Sequence, residues 1–147
     1  MFKTLVVTAA LSLCSSAFAQ VDVNSTRTMP SVPKNSTLTV TASITIPANQ
    51  RLADMGGFRD KNGYVGCITN LRPKSIDRVL NQGEVYKVKK VIVGADGVNL
   101  VINSKIISEI TCYYYPDNMK YRMPTVGEFN EIFSGILNLE LATKSSR

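Results

Sequence analysis

Between Thr37 and Pro47, apolar and polar residues alternate: Leu38, Val40, Ala42, Ile44 and Ile46 are separated by Thr39, Thr41, Ser43 and Thr45. A period of two, carried mostly by β-branched residues, predicts a strand with one buried face and one solvated threonine row. The next segment, 54–63, holds three glycines among charged residues and reads as a loop that closes with turn chemistry at Asn62-Gly63. Residues 64–69 predict a short strand carrying Cys67. A brief one follows at Arg78-Val79-Leu80, then punctuation at Asn81-Gln82-Gly83. Residues 85–93 and 98–103 flank Asp96-Gly97 and form the firmest expected hairpin. Residues 105–115 predict another strand, with Ile106, Ile110, Cys112 and Tyr114 on one face and Pro116 ending it.

The period then changes. Thr125 and Glu128 have capping-box spacing, and Phe129, Ile132, Phe133 and Ile136 follow at i, i+3, i+4 and i+7. That pattern predicts a helix start and one apolar stripe against a core. Leu137, Leu139 and Leu141 return to alternation and suggest a last strand. The sum is a mainly β domain, a small antiparallel barrel or sandwich of SH3-like or OB-like size. One C-terminal α-helix precedes its final strand.

Before the first alternating run the chain reads differently. Residues 1–19 have the three parts of a secretory signal peptide: Lys3, the apolar run 5–13, and Ala17-Phe18-Ala19 before a cleavage point. The expected location is therefore periplasmic or secreted, after cleavage near Ala19. Leu13 in front of Cys14 argues against lipoprotein processing, which wants a small residue there. Residues 20–36 are polar, carry Pro30 and Pro33, and read as a flexible leader. The expected division is a signal peptide at 1–19, a leader at 20–36, a single β-rich domain at 37–142 and a basic tail at 143–147. No later run is long and apolar enough to predict a transmembrane helix.

Composition narrows the chemistry. Removing 19 of the 147 residues leaves 128, and with Lys3 gone the charge falls from +6 to +5. The only cysteines then left, Cys67 and Cys112, are expected to pair as a disulfide in an oxidising compartment. The chain has no histidine, which removes Ser-His-Asp and Cys-His nucleophile pairs and histidine-ligated metals. Phosphate-loop glycine patterns are missing. Asp60-Lys61-Asn62-Gly63 begins like a calcium loop, but the twelfth position is Leu71, where a carboxylate is needed. No cofactor, metal or catalytic residue is expected.

The basic residues and tyrosines remain. Alternation puts Lys87 and Lys89 on the outer face of their strand, with Arg72, Lys74 and Arg78 shortly before it. Tyr113 and Tyr115 point away from Tyr114, near a strand end. If these seven residues converge, they form a cationic and aromatic surface. The expected function is an exported, non-catalytic binding module of the bacterial envelope. Its ligand would be an anionic envelope polymer, glycan or lipid headgroup, with nucleic acid not expected. Two alternatives stay open: an accessory subunit that binds a protein partner, and a histidine-free polysaccharide hydrolase working through paired carboxylates.

Overall fold

A computed structural model describes residues 23–143, with side chains from Ser25 onward. The expected signal peptide, Cys14 and residues 144–147 of the basic tail lie outside the described residues. Among the described residues nine strands follow one another: β1 (Thr37–Val40), β2 (Ile44–Ile46), β3 (Leu52–Asp60), β4 (Gly63–Leu71), β5 (Arg78–Leu80), β6 (Val85–Val93), β7 (Gly97–Asn103), β8 (Ile107–Pro116) and β9 (Leu137–Glu140). Among the described residues one α-helix, α1 (Val126–Ile132), precedes β9. Seven strands form one antiparallel sheet in the order β3-β4-β8-β7-β6-β1-β9, curled into a half-barrel, while β2 and β5 pair separately. Helix α1 touches β3 and β4 on one side and β9 on the other, so it spans the opening between the two sheet edges. No helix among the described residues is long and apolar enough to cross a membrane.

The inward faces of both sheets and the helix share one core. Leu38, Val88, Leu100, Ile110, Phe129 and Phe133 are all fully buried in it. The Phe129 and Phe133 rings stack with centroids 4.5 Å apart, inside the range of favourable aromatic pairing. The capping box forms as the spacing predicts. The Glu128 amide donates to Thr125 Oγ1 at 3.1 Å, and the Thr125 amide donates to Glu128 Oε1 at 3.0 Å. Cys67 and Cys112 face each other across β4 and β8 and form a disulfide that closes a separation of 45 residues.

Four expectations change. The alternating run 37–46 is two strands in two sheets, because the chain bends at 41–43. There the Thr41 amide donates to the Ile136 carbonyl, and the Gln82 amide donates to Ser43 Oγ. The 54–63 loop is instead most of β3, paired with β4 up to a two-residue turn at Lys61 and Asn62. Its glycines serve the pairing: Gly56 (φ 73°) makes a bulge between Asp54 and Gly57. In β8, a register shift opposite Asn70 and Leu71 makes Ile107, not Ile106, the fully buried residue. The fourth concerns the leader. Met29 and Val32 are buried in the core, the Met29 amide donates to Pro124, and the Val126 amide donates to Arg27. Gly127 makes the approach possible, since a Cβ there would lie 2.7 Å from the Ser25 carbonyl oxygen. Polar composition around Pro30 and Pro33 hid two anchoring apolar side chains. The packed domain therefore begins before Thr37.

Candidate functional site

On the outer face of the sheet, three tyrosines gather where sequence reasoning named two. Tyr113 and Tyr115 from β8 have ring centroids 4.9 Å apart, and Tyr64 from β4 stands 6.3 Å from Tyr113. Glycine supplies the floor. Gly66 is the cross-strand partner of Tyr113, and a Cβ on it would sit 2.8 Å from Tyr113 Oη. Tyr113 therefore lies over the backbone, and burial first, then the Tyr64 and Asp54 charges, hold its hydroxyl above the ordinary tyrosine range. Tyr115 is 55% exposed.

The lysines lie elsewhere. Tyr113 pairs with Gly97, whereas Lys90 pairs with Val101, which in turn pairs with Glu109. The tyrosines and lysines are thus about 13 Å apart along the strands and about 10 Å across them. A register shift between Val88 and Lys90 inserts one extra residue into β6. Lys87 keeps its expected outward direction opposite Asn103, but the shift turns Lys90 outward as well. Without it, alternation would aim the Lys90 ammonium into the core, where an unpaired charge is costly. Lys89 and Lys90 then line an open groove of about 650 Å³ with Lys34, over Val91 and Val101. Lys34 is held there by its neighbour: the Asn35 amide donates to the Val88 carbonyl at 2.9 Å.

Arg72 and Lys74 sit in the connection after β4. Arg72 Nε donates to the Ser104 carbonyl at 3.1 Å, and the Lys74 carbonyl accepts from the Asn49 amide. Ser104 borders a separate recess of about 490 Å³ that also contains Glu84 and Tyr86. Burial, reinforced by the hydrogen bond to Glu84, pushes the Tyr86 hydroxyl up to about 12. Arg78 takes a third direction. It alternates with Leu80 on β5 and pairs with Ile46 on β2, both inward-facing, and all three of its guanidinium nitrogens are shielded without a hydrogen-bond partner among the described residues.

The seven predicted ligand-binding residues therefore separate into four places, and no concavity collects them. The residues the sequence did not single out are Lys34, Lys90, Tyr64 and Arg122. No family model, no curated protein and no solved structure matches this chain. Its own geometry has to carry the functional reading.

Arg122 joins two carboxylates and an aromatic ring. It gives Glu128 two hydrogen bonds of 2.6 and 2.7 Å, gives Asp60 one of 2.9 Å, and lies 4.0 Å over the Tyr114 ring. The Glu128 hydrogen bonds, first among several causes, hold its guanidinium above its ordinary value. Burial opposes ionisation of Glu128, but Arg122 and the Thr125 amide outweigh it and keep the carboxyl low. Asp60 is also held low, by the Asn62 amide and then by Arg122. Glycoside hydrolysis needs one carboxyl raised so that it can donate a proton. Here both are lowered, and the pair fastens the β3–β4 turn to the helix.

Proposed function

We propose that this protein is an exported, non-catalytic binding module whose Lys34–Lys89–Lys90 groove engages an anionic polymer of the cell envelope. One observation carries the reading: three lysines from two chain segments line a single open groove together with Val91 and Val101. The two valines give the sugar or alkyl faces of a polymer something to lie on, while the lysines take its charges. The apolar run and small-residue ending of residues 1–19 support export, and the disulfide fits an oxidising compartment. Lys87 on the same outer face widens the field.

Exposed charge pairs are each weak, so the groove works through their sum and through salt-sensitive attraction. Retention on a polyanionic cell-wall preparation should fall steeply as salt rises through about 0.1 M, where the Debye length is roughly 10 Å. Replacing Lys34, Lys89 and Lys90 together by Gln should weaken binding about tenfold, at a few tenths to 1 kcal/mol each. Unchanged retention in the triple variant would remove the groove from the function. A second reading, a partner-binding accessory subunit, draws on Tyr115, Met119 and Tyr121, each more than half exposed. Its signature would be a stable complex recovered from the native host that survives loss of the lysines but not loss of these side chains.

A further inference from the structure

The recess of about 490 Å³ beside Ser104 is lined by residues of both charge signs and shares none of them with the lysine groove. Glu84 and Tyr86 stand at the start of β6, Asn103 to Ile106 at the end of β7 and in the turn after it, and Val79 on β5. Its volume lies within the ordinary range of small-ligand sites. One side of it is fixed. Glu84 accepts from the Tyr86 hydroxyl and, at 2.7 Å, from the Asn81 side-chain amide. The Tyr86 hydrogen bond first, then Asn81, hold the Glu84 carboxyl below its ordinary range, so it is ionised at neutral pH. Its Oε2 takes one hydrogen bond and keeps a lone pair for a second. Ser104 is fixed as well: its Oγ accepts from the Ile106 and Ile107 amides at 3.0 and 3.1 Å, and its carbonyl accepts from Arg72. The other side is free. Asn103 and Lys105 are exposed, and their side chains have no hydrogen-bond or ion-pair partner among the described residues. Lys105 therefore shares the recess with Glu84 without pairing with it.

A fixed carboxylate and an unpaired lysine at one recess suit a ligand that brings both opposite charges. A simple cation would leave Lys105 unused, and a simple anion would be repelled by Glu84. Val79, 43% exposed, and Ile106 add apolar surface to the same lining. We propose that this recess binds a short peptide with free ends, its ammonium on Glu84 and its carboxylate on Lys105 and Asn103. An apolar side chain of the peptide lies against Val79 and Ile106. Chain reach sets the length. Two residues span at most about 7 Å, which lets one molecule serve two groups that line one recess without touching. Because Tyr86 and Asn81 already hold Glu84, binding has to order only the Lys105 side.

The test is a titration of the intact protein with alanyl-leucine, read from the methyl NMR signals of Val79 and Ile106 and the side-chain amide signal of Asn103. N-acetyl-alanyl-leucine lacks the ammonium and alanyl-leucinamide lacks the carboxylate, while both keep the same side chains. The expected result is saturable shifts with alanyl-leucine and an affinity at least about threefold lower for each blocked peptide. In Glu84→Gln the acetylated and free peptides should bind alike, and in Lys105→Gln the amidated and free peptides should. Lys34→Gln, Lys89→Gln and Lys90→Gln together should leave the titration unchanged, which separates this site from the polymer groove. Absence of saturable shifts, or their loss in that triple variant, would overturn the proposal. So would a blocked peptide that binds as well as alanyl-leucine, or a blocking effect that survives the matching substitution. The comparison of the three peptides stands even if Glu84→Gln does not fold.

Discussion

Arg122 and Arg78 both set a guanidinium against the packed part of the molecule, one over the Tyr114 ring and the other beside Leu80. Around Arg122 the chain supplies two carboxylates and an aromatic face, and the hydrogen bonds run from 2.6 to 2.9 Å. Around Arg78 it supplies no acceptor among the described residues. The helix side of the half-barrel is therefore electrostatically complete, and the small-sheet side is not. A charge that only holds structure together is expected to find its partners within the chain. A buried charge left without them lowers stability.

The contrast can be broken from either side. The largest effect is expected where packing, not charge, completes the helix side. Phe129→Ala should cost about 3–5 kcal/mol in urea unfolding, because Phe129 is fully buried and stacked on Phe133. A loss below about 1 kcal/mol would mean that the helix is not part of the cooperative core. Arg122→Ala should cost less, about 1–2 kcal/mol, since over a third of its side-chain surface remains exposed.

That second loss should depend on pH with a definite sign. Glu128 has a folded value below its ordinary 4.5, so its contribution is fully present above the unfolded carboxyl value. It disappears as pH falls through the lower folded value. The stability curves of the parent and Arg122→Ala should converge in acid, below about pH 4. Curves that stay parallel down to pH 2 would show that the Arg122 contribution is packing rather than ion pairing.

On the other side the sign reverses. Arg78→Met should raise stability by about 1 kcal/mol, because an apolar side chain replaces a shielded and unpaired charge. A drop comparable to that of Arg122→Ala would erase the distinction between the two arginines. The smallest effect belongs to Thr69→Val, which removes one buried, unpaired hydroxyl. It should be neutral or stabilising by a few tenths of a kcal/mol, and a loss above about 1 kcal/mol would reveal a partner for that hydroxyl.

Much of the frame is legible in local pattern. The β6–β7 hairpin, the capped helix before β9 and the facing cysteines follow from alternation, capping chemistry and count. The candidate sites are legible only in part. Lys89 was visible, but its groove partners Lys34 and Lys90 were not, because one sits in a proline-containing polar segment and the other is turned outward by a bulge. Tyr64 joins Tyr113 only through the β4–β8 register and the glycine at position 66. Arg78 looked like one of several surface cations until its inward direction was seen.

By itself, then, the sequence determined which residues alternate, where the helix starts, which thiols remain to pair and which catalytic groups are missing. Those are properties of neighbours along the chain, and the period of a strand or helix expresses them directly. Tertiary structure decided where the 37–46 run splits, that β3 is a strand, which lysines share a groove and that the shielded Arg78 guanidinium has no partner among the described residues. Each depends on register between distant segments, and a one-residue shift reverses every side chain beyond it. Composition cannot encode that shift locally, because its cost is felt only when both faces of the sheet are packed.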